Sequence, residues 1–261
     1  MHASAPSPVV DFYDGLAAEY HLVYADRWDD AVAGQGAALD RLIRDARPHA
    51  HDILDCSCGI GTQAIGVALH GYRVEGTDIS ARSIERARVE ASRLGADVVL
   101  GVADFRHLDS IRTEFDVVMS CDNSIPHLLS DEEIAQALRA MRAKLRPGGL
   151  LVITVRDYDK ALVERPVIAP PLLFAGPPRR LFVRMHDWDG PDSPLYTVRF
   201  FILTETAVAW TLTQHATRYR AIGSEELTRV ARDAGFVDLV WRAGDSVGFH
   251  QPVMTATNPG G

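Results

Sequence analysis

Four aspartates stand where carboxylates could meet a ligand. Each lies at or just beyond the end of a short apolar run that favours a β-strand: Asp55, Asp78, Asp104 and Asp122. The carboxyl ends of parallel strands share one edge of a sheet, and ligands bind at that edge. Helix capping would explain any one of these aspartates, but it explains four in register less well. The sequence therefore predicts a carboxylate-lined binding site along this edge.

Two glycines follow the first aspartate in a turn that leads from a strand into a helix. Gly59, Gly61 and Ala64 fit the pattern G-x-G-x-x-G/A, and Asp78 follows at roughly the spacing of an acid that holds ribose hydroxyls. Glycine lets the backbone approach a ligand closely because it has no Cβ. This match alone does not identify a nucleotide-binding site, since two glycines often occur in a strand-to-helix turn that binds no ligand.

Strands and helices alternate through the middle of the chain, which predicts an α/β fold with a doubly wound, mostly parallel sheet. Pro147-Gly148-Gly149 breaks the pattern before the fifth strand. The predicted strands cover residues 52–56, 73–77, 97–100, 115–120 and 150–155, and the predicted helices cover 62–70, 81–94 and 131–145. Ser80 and Ser130 are the expected N-caps of the second and third of these helices.

Aromatic and alternating segments flank this core. Residues 9–46 are predicted to be helical, with Tyr13, Tyr20 and Tyr24 at helix-compatible intervals, either as a lid over a pocket or as a face packed on the body. Residues 180–220 alternate polar and apolar, which predicts an antiparallel β insertion after strand five. The remaining expectations are a helix over 224–234, strands over 237–241 and 249–256, one domain over 9–256 with its core over 50–156, and tails over 1–8 and 257–261.

Composition limits the classes of function. The 261 residues carry a net charge of −8, which disfavours a nucleic-acid binder, and no apolar run approaches the length of a membrane span. No targeting segment is visible, and the cysteines fit a reducing, cytoplasmic location: Cys56, Cys58 and Cys121. No metal site is expected, because Cys56-Ser57-Cys58 is too close and too isolated for zinc.

The motifs together resemble those of class I S-adenosylmethionine (SAM) dependent methyltransferases, which have a Rossmann-like fold. Residues 54–61 resemble the first motif, with Ser57 where that motif usually has glycine, and residues 115–118 and 145–149 resemble the motifs around strands four and five. Asp78-Ile79-Ser80 resembles the ribose-binding motif, and Ala103-Asp104-Phe105 resembles the adenine-binding motif. The resemblance implies SAM as cofactor and the following cofactor-binding residues: Asp55, Gly59, Gly61, Asp78, Ile79, Ala103, Asp104, Phe105 and Asp122.

Further segments resemble the small-molecule, glycine/sarcosine N-methyltransferase branch: residues 121–128, 155–159 and 248–252. This implies in-line methyl transfer to nitrogen or carbon of a small acceptor, such as an amine, an amino acid derivative or an indole-type aromatic. The catalytic candidates are Tyr20, Tyr24, His127 and Tyr158, and the substrate-binding candidates are Tyr13, Trp28, Arg156 and His250. Three of these residues have an alternative interpretation. His127 could be a structural histidine, and Arg156 could pair with Asp157 or Asp159. His250 could be a strand residue without a chemical role.

Two other classes of function stay open at this point. A protein that binds SAM without catalysis would keep the cofactor residues, whereas a nicotinamide oxidoreductase would share Gly59, Gly61 and Asp78 but would not predict Ala103-Asp104-Phe105. The insertion could build either a pocket wall or the surface of a homodimer, and the sequence does not choose between them.

Overall fold

The computed structural model describes residues 8–24, 27–111 and 114–260 of the chain. The helices are α1 (Pro8–Leu16), α2 (Trp28–Ala46), α3 (Thr62–Ala68), α4 (Ala81–Leu94), α5 (Asp131–Arg142), α6 (Tyr158–Glu164), α7 (Ser224–Asp233) and α8 (Gly244–Val247), with short 3-10 helices at Tyr20–Tyr24 and Ile125–His127. The strands are β1 (Asp52–Asp55), β2 (Arg73–Asp78), β3 (Val98–Val102), β4 (Phe115–Ser120), β5 (Leu145–Thr154), β6 (Leu172–Phe174), β7 (Arg180–Trp188), β8 (Leu195–Glu205), β9 (Trp210–Arg220), β10 (Val237–Arg242) and β11 (Val253–Thr257).

The central sheet has the order β10-β11-β5-β4-β1-β2-β3. Strands β1 to β5 pair in parallel, and β11 and β10 extend the sheet in antiparallel fashion beyond β5. Successive residues of β1 face different cores: Ile53 lies in the same cluster as Leu39 of α2, and Leu54 lies in the same cluster as Leu138 of α5. Helices therefore cover both faces, which confirms the predicted doubly wound, mostly parallel sheet.

Short side chains fix the starts of two helices that border the site. The Oγ of Ser80 accepts the N–H of Ser83 at 3.0 Å, and the Oγ of Ser130 accepts the N–H of Glu133 at 3.3 Å. Both N-caps are as predicted, because a serine side chain can satisfy a first-turn N–H that has no intrahelical partner. Helix α4 ends at Gly95, which adopts a left-handed conformation with φ of 69°.

The insertion forms its own sheet, with the order β6-β7-β8-β9 and antiparallel pairing throughout. Along β8, the buried side chains alternate with partly exposed ones: Tyr196, Val198, Phe200 and Ile202. These four side chains join the same core as the α5 face of the central sheet. The alternation identified this sheet correctly from the sequence, because successive side chains of a strand point to opposite faces.

Several predicted boundaries are wrong. The segment 9–46 is not one helix: it breaks after α1 and after a 3-10 turn, and α2 packs on α3 as part of the core. Strand β5 begins at Leu145 and runs through Pro147-Gly148-Gly149, where a shift in register against β4 absorbs the left-handed Gly148. The last strand starts at Val253 instead of Phe249, because α8 and a loop occupy the preceding residues.

The ends of the chain also differ from the expected tails. Residues 1–7 and 261 lie outside the described residues, and Pro8 already belongs to α1. Thr257 belongs to β11, and the side-chain amide of the buried Asn258 donates to the carbonyl of Leu145 at 2.9 Å. Among the described residues, no helix is long and apolar enough to cross a bilayer.

Helices α2 and α3 touch through two glycines. A Cβ on Gly36 would lie 2.6 Å from the carbonyl carbon of Gly66, whereas a Cβ on Gly34 of the same helix would meet no atom within 4 Å. The contact therefore requires a residue without a side chain at position 36, but not at position 34.

We expect Gly36→Ala to lower the free energy of unfolding by about 1–3 kcal/mol, because the backbone of α3 must move to admit the methyl group. Gly34→Ala is the matched control and should raise the free energy of unfolding by roughly 0.5–1 kcal/mol through helix propensity. Urea denaturation of both variants measures the difference. Equal effects of the two substitutions would contradict this close packing.

Candidate active site

A cavity opens at the carboxyl edge of the central sheet, as the strand ends predict. Gly59, Asp78, Ile79 and Phe105 line it, together with Asp122 on the far side. A Cβ on Gly59 would meet no atom within 4 Å, so a side chain at this position would take space at the cavity wall. The turn therefore presents bare backbone to whatever fills the cavity, which we call the cofactor cavity.

Asp78 ends β2 beneath this turn. Its Oδ2 accepts the N–H of Gly59 and its Oδ1 accepts the N–H of Ser80, each at 2.9 Å. Burial raises the pKa of Asp78 to about 6, with the nearby Asp14 carboxylate adding to the rise. Each carboxylate oxygen has a second lone pair, so Asp78 can still accept hydrogen bonds from hydroxyls of a ligand.

Asp104 and Phe105 follow β3 and border the same cavity. The guanidinium of Arg106 pairs with Asp104 at 2.6 Å, and these hydrogen bonds outweigh the effect of burial and lower the pKa of Asp104. Arg106 also reaches Glu133 at 3.0 Å. The wall is therefore polar at Asp104 and apolar at Phe105, which suits a flat heteroaromatic ring with polar edges.

Three predicted cofactor residues lie behind the cavity wall instead of on it. Asp55 is fully buried, accepts the N–H of Ser57 at 3.3 Å, and has one oxygen without a hydrogen-bond partner. Burial raises the pKa of Asp55 to about 7. Gly61 is a structural requirement, since its φ is 95° and a Cβ would lie 2.8 Å from Ile65 Cδ1. Ala103 sits outside the cavity lining, and its N–H donates to Asp78 O.

The N-terminal segment covers the cavity and is fastened at several points. The hydroxyl of Tyr13 lies 2.8 Å from Nε2 of His127, and the Oγ of Ser80 donates to Asp14 at 2.6 Å. The hydroxyl of Tyr24 donates to Oδ2 of Asp122 at 2.5 Å. Tyr13, Tyr20 and Tyr24 all line the cofactor cavity. The lid interpretation thus fits residues 8–24, and α2 is not part of the lid.

Asp122 stands in a turn of unusual backbone geometry after β4. Asp122 and Asn123 both have left-handed φ angles, 59° and 74°, which few residues other than glycine, asparagine and aspartate adopt. Two hydrogen bonds to Thr154 hold the turn: the Asp122 N–H reaches Thr154 Oγ1 at 2.8 Å, and the Asn123 N–H reaches Thr154 O at 3.0 Å. Asn123 also accepts the N–H of Arg156.

The carboxylate of Asp122 receives side-chain donors from the C-terminal loop as well as from the lid. His250 Nε2 and Gln251 Nε2 lie 3.1 and 3.0 Å from Oδ1, on the side opposite Tyr24. Burial opposes ionisation, but the contacts with His250 and Tyr24 and the charge of Arg156 outweigh it and lower the pKa of Asp122 to about 2. Asp122 is therefore a stable carboxylate at neutral pH.

A second, more open cavity of about 660 Å³ adjoins the first. Residues of the lid, the insertion and the C-terminal loop line it, and we call it the acceptor cavity. Among the described residues, three line both cavities: Tyr20, Tyr24 and Asp122. A group bound in one cavity can therefore meet a group bound in the other beside these side chains.

The structure places two of the predicted substrate residues in the acceptor cavity. Arg156 lies over the ring of Tyr219 at 5.5 Å and pairs with neither Asp157 nor Asp159, which instead cap helices α6 and α7. His250 lies in the loop before β11, so its interpretation as a strand residue is wrong. Tyr13, predicted to bind substrate, lines the cofactor cavity instead.

Two further candidates lie outside both cavities, which does not support their predicted roles. Tyr158 is only 3% exposed, and its hydroxyl lies 2.9 Å from the hydroxyl of Tyr196 in the core. Trp28 starts α2, is 6% exposed, and donates its indole N–H to Thr62 Oγ1 at 2.9 Å. Both side chains point into packed layers because each lies at the start of a helix that rests on the core.

His127 lines the cofactor cavity but is poorly suited to accept a proton. Burial, together with the charge of Arg156, lowers the pKa of His127 to about 3. The ring packs edge-to-face on Tyr219 at 4.4 Å and meets the Tyr13 hydroxyl. His127 is therefore a neutral anchor for the lid at neutral pH, in agreement with the structural alternative.

Sequence reasoning missed three residues that shape the acceptor cavity: Arg184, Tyr219 and Gln251. Arg184 shares a face of β7 with the buried Phe182 and His186, so the period of two along the strand could have revealed it. Gln251 lies in the segment 248–252 that resembles the N-methyltransferases, but its contact with Asp122 depends on the fold of a loop.

Comparison with known proteins shows similarity to methyltransferases. A methyltransferase domain family matches residues 53–149. A glycine/sarcosine N-methyltransferase from Parasynechococcus marenigrum (strain WH8102) is 32% identical over 57% of this chain and 55% of its own length. A dTDP-3-amino-3,6-dideoxy-alpha-D-glucopyranose N,N-dimethyltransferase from Streptomyces fradiae is also 32% identical, over 58% of each chain. The chain thus matches little more than half the length of these curated relatives.

Solved structures show the same fold over almost the whole chain. Streptomyces venezuelae DesVI superposes with a TM-score of 0.76 at 19% identity, covering 92% of this chain and 97% of that one. An amino pentose methyltransferase from Micromonospora echinaspora, solved with SAM bound, gives a TM-score of 0.71 at 22% identity over 99% and 100%. The chain therefore has the fold of these methyltransferases, with a methyltransferase domain match at residues 53–149 and a cavity at the carboxyl edge of the sheet.

Proposed function

We propose that this protein transfers the methyl group of SAM to the nitrogen of a small-molecule amine. The observation that carries the proposal is the junction of the two cavities at Tyr20, Tyr24 and Asp122. One cavity has the lining that a nucleoside requires, and the other opens to solvent and admits a second molecule. A protein that only binds SAM has no need of a second cavity that meets the first at a carboxylate.

The residues of the cofactor cavity suit SAM, which when bound supplies a methyl group on a positively charged sulfur. Asp78 would accept the ribose hydroxyls, and Ile79 and Phe105 would enclose the adenine with Asp104 at its polar edge. Tyr13, Tyr20 and Tyr24 would close the lid over the cofactor and exclude water. Gly59 would bring bare backbone against the ligand.

The junction favours an amine over other acceptors. Asp122 is ionised, and the rings of Tyr20 and Tyr24 stand beside it, so a cationic or partly cationic nitrogen is stabilised there by charge and by the ring faces. A carboxylate with a pKa near 2 is a weak proton acceptor, so Asp122 would orient the nitrogen instead of deprotonating it. The proton of the amine can leave through the open acceptor cavity.

The named relatives agree with nitrogen as the methylated atom. They are named for glycine or sarcosine and for a dTDP-linked amino sugar, which have an amine nitrogen in common. An indole-type acceptor would also offer a flat ring to the tyrosines, but the positive charge formed on its methylation is spread over the ring, whereas on an amine it is concentrated at the nitrogen beside Asp122. We keep a single domain, a cytoplasmic location, a homodimer and the absence of a nucleic-acid partner as predictions.

The test is a mass-spectrometric assay of the protein with SAM and a panel of primary amines, amino acids and indoles. We expect at least one amine to gain a methyl group, with S-adenosylhomocysteine formed in equal amount. Methylation of indoles alone would contradict the choice of nitrogen. Binding of SAM by calorimetry without turnover of any acceptor would favour the non-catalytic alternative.

We expect Tyr24→Phe to lower kcat/KM for an accepted amine by about tenfold or more, because it removes a hydrogen bond to the Asp122 carboxylate beside the transferred group. Tyr72→Phe is the matched control, since Tyr72 donates its hydroxyl to Asp40 at 2.9 Å outside both cavities. Steady-state kinetics of both variants should show a loss only for Tyr24→Phe. Equal kcat/KM values in the two variants would remove Tyr24 from the site.

The affinity for SAM should fall as the pH decreases from 8 to 5, because protonation of Asp78 near its pKa of about 6 removes the charge that accepts the ribose hydroxyls. Isothermal titration calorimetry in buffers across this pH range measures the affinity for SAM. Asp78→Asn should weaken SAM binding about tenfold or more at pH 8 and flatten the pH dependence.

Asp116→Asn is the matched control for this titration. Asp116 also accepts two backbone N–H groups, those of His51 and Asp52, but it stands at the opposite end of the sheet. This variant should keep both the affinity and its pH profile. If the affinity for SAM depended on pH in the same way in Asp78→Asn, a group other than Asp78 would control that dependence.

A further inference from the structure

Three arginines line the acceptor cavity: Arg27, Arg156 and Arg184. The carboxylates that line it are engaged with other groups. Asp30 pairs with Arg27 at 3.0 Å, and Asp122 accepts Tyr24, His250 and Gln251. Asp157 accepts the N–H of Lys160. Arg156 and Arg184 therefore bring two positive charges to this cavity without a carboxylate hydrogen-bonded to either among the described residues.

Arg184 has a hydrogen-bond donor that no described group of the protein satisfies. Its Nε atom is buried and has no hydrogen-bond partner. Burial and the charge of Arg156 lower the pKa of Arg184 to about 10, so the guanidinium stays charged at neutral pH while it is repelled by its neighbour. A buried, unsatisfied donor on a charged group is costly, and a bound anion would satisfy it and relieve the repulsion.

Strand β7 of the insertion places Arg184 in the lining of the acceptor cavity. Phe182, Arg184 and His186 alternate along one face of β7, and Phe182 and His186 are buried. Arg156 reaches the same space from the segment after β5, where its guanidinium lies over Tyr219. The two charges thus come from different elements, and the guanidinium forks offer more donors than one carboxylate can use.

We propose that the methyl acceptor carries two negative charges, on one phosphate group or on two carboxylates, held by Arg156 and Arg184. This inference rests on the proposed amine methyl transfer and names the class of amine. The nitrogen of the acceptor lies toward Asp122, and its anionic end lies toward the insertion. A cavity of about 660 Å³ is in the range of ordinary ligand sites and larger than glycine requires.

The test measures binding of four amines to the protein saturated with S-adenosylhomocysteine, so that no methyl group is transferred during titration. 2-Aminoethyl phosphate and L-aspartate carry the two kinds of anionic end, and ethanolamine and L-asparagine are their less charged counterparts. We expect at least one doubly charged amine to bind about tenfold or more tightly than its counterpart. The pair that shows the difference tells phosphate from dicarboxylate.

Variants of Arg184 test whether the insertion causes the preference for the doubly charged amine. Arg184→Gln should remove most of the difference in affinity within the responding pair. Arg184→Lys should keep part of it, because it keeps the charge but not the fork. Arg199→Gln is the control: Arg199 lies on β8, pairs with the exposed Asp187, and lines neither cavity.

Three results would overturn the inference: equal affinity within both pairs, no binding of either doubly charged amine, or a preference that survives in Arg184→Gln. These outcomes are distinct from failure of the proposed function. Turnover of neutral or singly charged amines with SAM would show that the enzyme methylates amines and that only the anionic subsite was misassigned.

Discussion

The side chain and backbone of Asp122 join three parts of the chain: the lid, the C-terminal loop and the end of β5. Tyr24 reaches it from the lid, and His250 and Gln251 reach it from the C-terminal loop. Its backbone is fastened to Thr154 at the end of β5. Because a buried carboxylate is stable only when donors surround it, these contacts must form together. The charge at the junction of the two cavities is therefore built into the fold.

This arrangement explains why different elements of the fold line the two cavities. The parallel strands supply the edge where Asp78 and Gly59 lie, and this part of the site needs only the alternation of strands and helices. The lid and the insertion are additions to that core. The lid supplies the tyrosines at the junction of the two cavities, and the insertion supplies Arg184 to the acceptor cavity alone. Under the proposed function, the core and the lid would hold the cofactor, and the insertion would select the acceptor.

The sequence predicted the core of the fold closely and the acceptor side much less well. Local patterns were sufficient for Asp78 and Phe105, because apolar runs and turns place them directly after strands. Tyr158 and Trp28 lie outside both cavities because each stands at a helix start, where tertiary packing decides which way the side chain points. The strand period could have placed Arg184 on the inner face of β7, but its proximity to Arg156, which is distant in the chain, is apparent only in the folded protein.

The most direct test of the account is a crystal structure of the protein with S-adenosylhomocysteine and an amine that it methylates. We expect the sulfur in the cofactor cavity and the acceptor nitrogen in the acceptor cavity, on either side of the junction formed by Tyr20, Tyr24 and Asp122. An acceptor nitrogen that reaches the sulfur by another route, away from Asp122, would contradict it.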